Sequence, residues 1–152
     1  MRKYFRGFLS LGVWLMAASA VQAAAAPAAG VLVDQGKAVG RILVPAKATD
    51  AETLAAQQVQ NFVKQMSGAE LSIVKAGDKA GEGETGPAIV IGHQPANQAV
   101  IDELNKEHPG TIDAFAVVGS ADQLSLVGRS DDSTLWAAWQ WLNDQGVVWI
   151  MP

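Results

Sequence analysis

Residues 41–74 read RILVPAKATDAETLAAQQVQNFVKQMSGAELSIV and combine strand signals at both ends with a helix signal between them. The run from Arg41 to Val44 is aliphatic and is followed by Pro45, which predicts a strand that ends near Val44. Leu71 to Val74 has the same character and predicts a second strand. A strand, a helix and a strand in this order are typical of an α/β protein.

The helix between these strands has sequence signals at both ends. Thr49 and Glu52 have the spacing of a capping box, in which each side chain accepts a hydrogen bond from the other residue's backbone N–H. Gly68 suits the left-handed conformation that ends a helix. The apolar residues recur every three or four positions, which predicts this buried face: Ala51, Ala55, Val59, Phe62 and Met66.

The rest of the chain continues the alternation of strands and helices. Ala88 to Ile91 is almost wholly apolar, which predicts a central strand. Later segments predict, in order, a short amphipathic helix, a hairpin, a capped helix and a terminal strand: Val100–Leu104, Phe115–Val118 with Leu124–Val127, Asp131–Asn143, and Val147–Ile150. We therefore expect an α/β fold, a mixed β-sheet of about five to six strands with three helices packed on it.

The composition is that of one small globular domain. The chain has 152 residues, of which 49% are hydrophobic and 17% charged, and this balance argues against a disordered protein. It has no cysteine, which excludes disulfides, thiolate metal ligands, iron–sulfur clusters and cysteine nucleophiles. Its formal net charge of -4 offers no positive surface to nucleic acid, so no nucleic-acid partner is expected.

Residues 1–38 are expected to lie outside the folded domain. Three basic residues among the first six precede an apolar run, Phe8 to Ala20, and small residues at 21 and 23 match a signal-peptidase site. We therefore predict a signal peptide at 1–23, a flexible leader at 24–38 and the domain at 39–152. The apolar run is shorter than the ~20 residues that span a bilayer. The expected location is secreted or periplasmic in a bacterium, with no stable membrane span after signal cleavage.

The final predicted helix is unusually rich in tryptophan. Its core stripe is expected at Leu135, Ala138, Trp139 and Leu142. At ~100° per residue, Trp136 and Trp141 fall about 110° to either side of that stripe, and Trp149 follows in the predicted terminal strand. Two interpretations are open for Trp136, Trp141 and Trp149: stacking on sugar rings, or packing against a neighbouring strand, domain or subunit. Packing is favoured, because large apolar patches more often mark protein contacts.

Three polar residues are candidates for the edge of a site: His93, Arg129 and Asp131. His93 follows the predicted strand 88–91, and strand ends of this kind line sites in α/β proteins. Asp131 and Asp132 start a helix, where capping is favoured over acid/base catalysis. The two histidines of the chain are too far apart to suggest a metal site. Phosphate-binding glycine loops and a nucleophile elbow are missing, so we expect no metal, no cofactor and no complete active site.

Three segments taken together resemble one protein family. They are residues 41–74, AIVIG at 88–92, and DAFAVVGSADQLSLVGRSDDSTLWAAWQWLNDQGVVWIMP at 113–152. In order and spacing they resemble the N-terminal domain of bacterial α-glucuronidases and the similar non-catalytic domain that precedes the barrel in β-hexosaminidase-type glycoside hydrolases. The chain departs from that pattern at Asp132-Ser133, where many relatives have an Arg-Gly-like pair.

The resemblance implies an α/β domain of the hexosaminidase second-domain type, packed beside a (β/α)8 barrel that holds the catalytic carboxylates. Residues 39–152 would then be a non-catalytic accessory domain of a secreted, α-glucuronidase-like hydrolase that degrades polysaccharide. The implied partner is the barrel, in the same chain or in another. The alternatives are a stand-alone carbohydrate-binding module, with polysaccharide as its partner, and a periplasmic interaction protein.

Overall fold

The computed structural model of the chain describes residues 30–78 and 86–149. Two short strands come first, β1 (Val33–Asp34) and β2 (Lys37–Ala38). The longer strands are β3 (Arg41–Val44), β4 (Ser72–Lys75), β5 (Ala88–Ile91), β6 (Phe115–Gly119) and β7 (Gln123–Gly128). The helices are α1 (Asp50–Ser67), α2 (Gln98–Glu107), which follows a 3₁₀ turn at Pro95–Asn97, and α3 (Asp131–Asp144).

The main sheet has five strands in the order β4-β3-β5-β7-β6. The first four are mutually parallel, and β6 is antiparallel to β7 at one edge. Parallel neighbours need long crossover connections, which α1 and α2 help to supply, whereas three residues suffice to connect β6 to β7. The expected α/β fold, with a mixed sheet and three helices, is thereby confirmed.

The helices cover both faces of the sheet. α1 and α3 pack side by side on one face, and α2 packs against β6 and β7 on the other. Alternate residues of each strand point to the same face, so every second strand residue meets α1 and α3. These strand residues pack against buried residues of the two helices, and the core includes Ile42, Val44, Ile89, Ile91, Leu124, Leu126, Ala55, Ala56, Val59, Ala137, Ala138, Trp141 and Leu142.

Both predicted ends of α1 are present, but its buried face differs from the predicted one. Thr49 and Glu52 form the capping box, and Gly68 ends the helix with φ of 77°. Ala56 and Val63 are buried, whereas Met66, predicted to be buried, is 50% exposed. The reason is that α1 packs against the sheet and α3 at once, which widens its buried face and turns it away from Met66.

Residues 33–38, predicted as part of a flexible leader at 24–38, instead form a hairpin of β1 and β2. Gln35 and Gly36 have φ of 48° and 77°, the positive values that a type I′ turn requires. The carbonyl oxygen of Leu32 accepts hydrogen bonds from the N–H groups of Val39 and Gly40, both at 3.0 Å. Ordered structure therefore begins before residue 39. The signal peptide predicted at 1–23 lies outside the described residues.

The terminal strand predicted at 147–150 is absent from the part of it that the structure describes. Val147 to Trp149 follow α3 without a strand partner, and residue 150 lies outside the described residues. Gly146 has φ of 96°, and the N–H of Val147 donates to the Leu142 carbonyl oxygen at 3.0 Å. The chain thus turns back at the end of α3 instead of entering the sheet.

Candidate functional site

An aromatic surface lies where α1, α3 and the segment after α3 meet. We define this aromatic surface as Phe62, Trp136, Trp139 and Trp149. The ring centroid of Trp149 lies 5.1 Å from that of Phe62, in an edge-to-face arrangement, and 5.9 Å from that of Trp139. Trp136, Trp139 and Trp149 remain 38%, 37% and 42% exposed. Clusters of partly exposed large apolar side chains commonly mark contact surfaces.

Local structure explains how these rings come together. Trp136 and Trp139 are three residues apart on α3 and are therefore neighbours on its surface. Val147 is buried against the core, and this fixes the segment that follows the turn at Gly146. Trp149 is thereby placed over the groove between α3 and α1, where it meets Phe62.

Trp141 does not belong to the aromatic surface, although it was predicted as one of three candidates for a sugar or domain contact. It is 7% exposed and lies in the core, while Trp139, predicted to be core, is exposed. α3 also buries Ser133 and Leu135, and its other buried residues are spaced as one helical face: Thr134, Ala137, Ala138, Trp141 and Leu142. Residues 135–142 are almost all apolar, so periodicity could not distinguish this face from one shifted by a single residue.

A polar cleft of about 370 Å³ opens where β5 and β7 end. It brings together His93, which follows β5, and Arg129, which follows β7. The other lining residues are Gln94, Pro95, Gln98, Ile101 and Asn105. Two of the three predicted site-edge residues therefore share one cleft, as expected at the carboxyl ends of neighbouring parallel strands. The third, Asp131, does not line the cleft and is exposed in the first turn of α3.

Arg129 is held at the mouth of this cleft by the loop that precedes β6. Its backbone N–H donates to the Ala114 carbonyl oxygen at 2.9 Å, and its guanidinium Nη1 donates to the carbonyl oxygen of His108. Within the described residues the one salt bridge joins Lys64 to Glu70, so the guanidinium of Arg129 has no carboxylate partner there. Its remaining N–H groups give the cleft a positively charged donor.

Glu52 holds the loop that carries His93 on the other side of the cleft. Its carboxylate is almost wholly buried and accepts two backbone hydrogen bonds, from Thr49 at 2.9 Å and from His93 at 3.1 Å. A Cβ at Gly92 would lie 1.9 Å from Glu52 Oε1, so this position requires glycine. The sequence indicated the capping role of Glu52 but gave no signal for its contact with the loop after β5.

Two buried side-chain amides, those of Gln94 and Asn97, also hold the loop after β5. Gln94 Nε2 donates to the carbonyl oxygens of Ile91 and Leu43, at 2.8 and 3.2 Å. Asn97 Nδ2 donates to the carbonyl oxygens of Gly92 and Val90, at 2.8 and 3.2 Å. The backbone that presents His93 is therefore held by side chains on both sides. Neither contact was predicted from the sequence.

The polar cleft has the chemistry of a binding site. Its lining combines amide, imidazole and guanidinium groups and contains no carboxylate, whereas glycoside hydrolysis commonly uses two. Among residues 30–78 and 86–149, no three His, Cys, Asp or Glu side chains are grouped to hold a metal ion. The cleft can accommodate a polar or anionic ligand.

No family model and no curated protein matches this chain. In the part that the structure describes, no helix has both the length and the hydrophobicity that crossing a bilayer requires.

Proposed function

We propose that this chain is a non-catalytic accessory domain of a secreted, α-glucuronidase-like glycoside hydrolase, and that its aromatic surface packs against the catalytic (β/α)8 barrel. The observation that carries the proposal is the exposure of Trp136, Trp139 and Trp149 on the outer side of α1 and α3. Partly exposed large apolar side chains grouped together on a domain commonly mark a protein contact, so this surface favours a protein partner. The α/β architecture agrees with what the resemblance implies for such a domain.

The position of Trp149 suits a partner in the same chain or in another. This residue belongs to the aromatic surface and is the last described residue of the chain. A barrel in the same polypeptide can cover this surface, because Trp149 is 42% exposed. A separately encoded barrel would reach Trp136, Trp139 and Trp149 from solvent, because all three are partly exposed.

The polar cleft supports a non-catalytic role for the domain. Its lining offers hydrogen bonds and one guanidinium but no pair of carboxyl groups. Hydrolysis of the polysaccharide would then belong to the barrel, and the domain would contribute stability and position.

The binding test requires a barrel partner and one matched pair of variants. Translation beyond codon 152, or a search of the same genome, identifies the barrel, which is purified and titrated with this chain by calorimetry. We expect the double variant W136A/W139A to bind at least about 100-fold more weakly, because tryptophans at the centre of an interface commonly contribute about 2 kcal/mol or more each. The control I73A removes an apolar side chain of similar exposure on β4 and should bind normally.

Two results would contradict the proposal. Equal affinities of W136A/W139A and I73A would show that the aromatic surface does not bind the barrel. Turnover of an aryl-glycoside or a glucuronoxylan fragment by the isolated chain, abolished by substitution of one carboxylate, would show that the domain is itself an enzyme.

A carbohydrate-binding module is the second candidate, favoured by the exposed indole of Trp136. Trp139 and Trp149 meet at 52° and so do not form one flat platform for a sugar chain. If the module binds sugar, tryptophan fluorescence should shift on titration with xylo-oligosaccharides or chitin fragments, and Trp136→Ala should remove the shift. The absence of any shift at millimolar sugar would reject this candidate.

A further inference from the structure

Strand β6 is an open edge of the main sheet. It pairs with β7 on one side, and the described residues place no strand on its other side. Its sequence, FAVVG, contains neither a charged residue nor a proline, which are the usual protections of an edge strand. The opposite edge strand, β4, carries Lys75. The two edges therefore differ, and only β6 presents an unprotected apolar strand.

The register identifies the backbone groups that face outward. In an antiparallel pair, opposed residues alternate between pairs that exchange hydrogen bonds and pairs that do not. The N–H of Arg129 donates to the Ala114 carbonyl oxygen, and the N–H of Ser120 donates to that of Gln123 at 2.7 Å. The bonded positions of this strand are therefore even-numbered. It follows that the backbone N–H and C=O groups facing away from β7 are those of Phe115, Val117 and Gly119.

A groove runs between this edge and α2. One part, of about 230 Å³, is lined by Val100 and Leu104 of α2 and by Ala116 and Val118 of β6. A second part, of about 240 Å³, continues past Val118 to the end of the strand. The acidic side chains Glu103 and Glu107 line the first part. The groove is thus apolar at its base and negatively charged along α2.

We propose that β6 and α2 bind an extended peptide segment of another protein, which adds a sixth strand to the sheet. The outward backbone groups of β6 supply the main-chain hydrogen bonds of such a complex. The groove receives the side chains on one face of the segment. One of these side chains is apolar and contacts Val100 and Val118, and a neighbouring one is basic and pairs with Glu103 and Glu107. This inference does not depend on the role of the aromatic surface.

A second copy of this chain fits the edge less well. An antiparallel pair of β6 strands would place the α2 helices of both copies side by side on the same face. Each α2 carries three acidic residues, Asp102, Glu103 and Glu107, against one basic residue, Lys106. The two acidic helices would repel one another, whereas a basic segment is attracted.

The test uses two acetylated and amidated hexapeptides, TVTKTV and TVTETV, in which the second, fourth and sixth side chains share one face of a strand. We expect the lysine peptide to slow amide hydrogen exchange at Phe115, Val117 and Gly119. The amides of Ala116 and Val118 are already bonded to β7 and should change little. The glutamate peptide should bind about tenfold more weakly, because Glu103 and Glu107 repel its carboxylate but attract the ammonium group of the lysine peptide.

Two sets of variants separate the peptide site from a loss of folding. Val117→Pro removes an outward N–H that the β7 ladder does not use, so it should abolish binding, whereas Val117→Ala keeps that N–H and should bind. The double variant E103K/E107K changes exposed residues of α2 and should reverse the preference between the peptides.

Several outcomes would overturn the proposal. They are no binding of the lysine peptide at millimolar concentration, equal binding of both peptides, an unchanged preference in E103K/E107K, and protection of β4 instead of β6. A dimer of the unliganded chain in sedimentation would assign the edge to a second copy.

Discussion

Glu52 is the residue that connects two loops of the molecule. It starts α1 together with Thr49, and its other oxygen holds the loop after β5, which presents His93 to the polar cleft. A carboxylate that is 3% exposed is stable only if hydrogen bonds replace its water, and these two backbone N–H groups do so. One side chain therefore determines both where α1 begins and where the cleft lies.

Glu52→Gln should destabilise the fold by about 1–3 kcal/mol. The change keeps the shape of the side chain but places an N–H₂ group against one of two backbone N–H donors, which leaves buried donors without an acceptor. Urea denaturation measures the difference in the free energy of unfolding. As a control, Glu70→Gln removes the exposed ion pair with Lys64 and should cost about 0.5 kcal/mol or less. Equal effects of the two substitutions would contradict this account of Glu52.

Of the two roles of Glu52, capping α1 and holding the loop after β5, only the first was predicted from the sequence. The capping box could be predicted because it involves residues three apart. The contact with His93 joins residues 41 apart in the chain and exists because β3 and β5 are adjacent in the sheet. Strand order is a property of the tertiary structure, so local pattern could not indicate this contact.

Among the elements, α3 is the one whose start is most tightly fixed. Ser130 and Ser133 form a reciprocal cap, and Thr134 Oγ1 accepts from the N–H of Gly128 at 3.0 Å. A Cβ at Gly128 would lie 2.3 Å from the backbone of Ser133, so β7 and α3 touch where one ends and the other begins. These contacts hold the helix against the end of the strand.

Thr134→Val should cost about 1–3 kcal/mol of unfolding free energy. Valine has nearly the same shape as threonine but cannot accept the hydrogen bond, so the N–H of Gly128 is left buried and unpaired. Thr53→Val makes the same chemical change at an exposed position of α1 and should change stability by less than about 0.5 kcal/mol. Thermal denaturation of both variants checks the difference. A loss of similar size in both would indicate helix propensity instead of the hydrogen bond.

Helix ends could be predicted from the sequence more reliably than helix faces. Caps and terminal glycines act within one turn, and those of α1 lie where they were predicted. The buried face of α3 depends on which apolar residues meet the sheet, and its tryptophans fit more than one choice. The hairpin of β1 and β2 was missed because a Gln-Gly pair is a weaker turn signal than Asn-Gly or Asp-Gly.

At the level of the whole molecule, the tryptophans of α3 divide into two roles. Trp141 faces inward and belongs to the core between the helices and the sheet. Trp136 and Trp139 face outward, are partly exposed and do not belong to the core. The polar cleft lies at the ends of β5 and β7 and shares no lining residue with the aromatic surface. A variant of one feature should therefore leave the other intact.

Trp141→Ala should lower the free energy of unfolding by about 3–5 kcal/mol, since it removes a large buried side chain and leaves a cavity. Trp136→Ala should lower it by less, about 1–2 kcal/mol, because the residue is 38% exposed and its loss leaves a depression open to water and not a closed cavity. Guanidinium denaturation followed by circular dichroism compares the two. If Trp136→Ala were the more damaging, the assignment of inward and outward faces on α3 would be wrong.

β7 is the last strand of the main sheet along the chain, but it does not lie at an edge of the sheet. β7 lies between β5 and β6, and β5 has no other partner on that side. A polypeptide that ends before Gln123 therefore contains two pieces of sheet with nothing to join them, β4-β3-β5 and the single strand β6. Only when residues 123–128 are inserted does the hydrogen-bonded network become continuous from one margin to the other. The continuity of the main sheet therefore depends on β7, which joins β5 to β6.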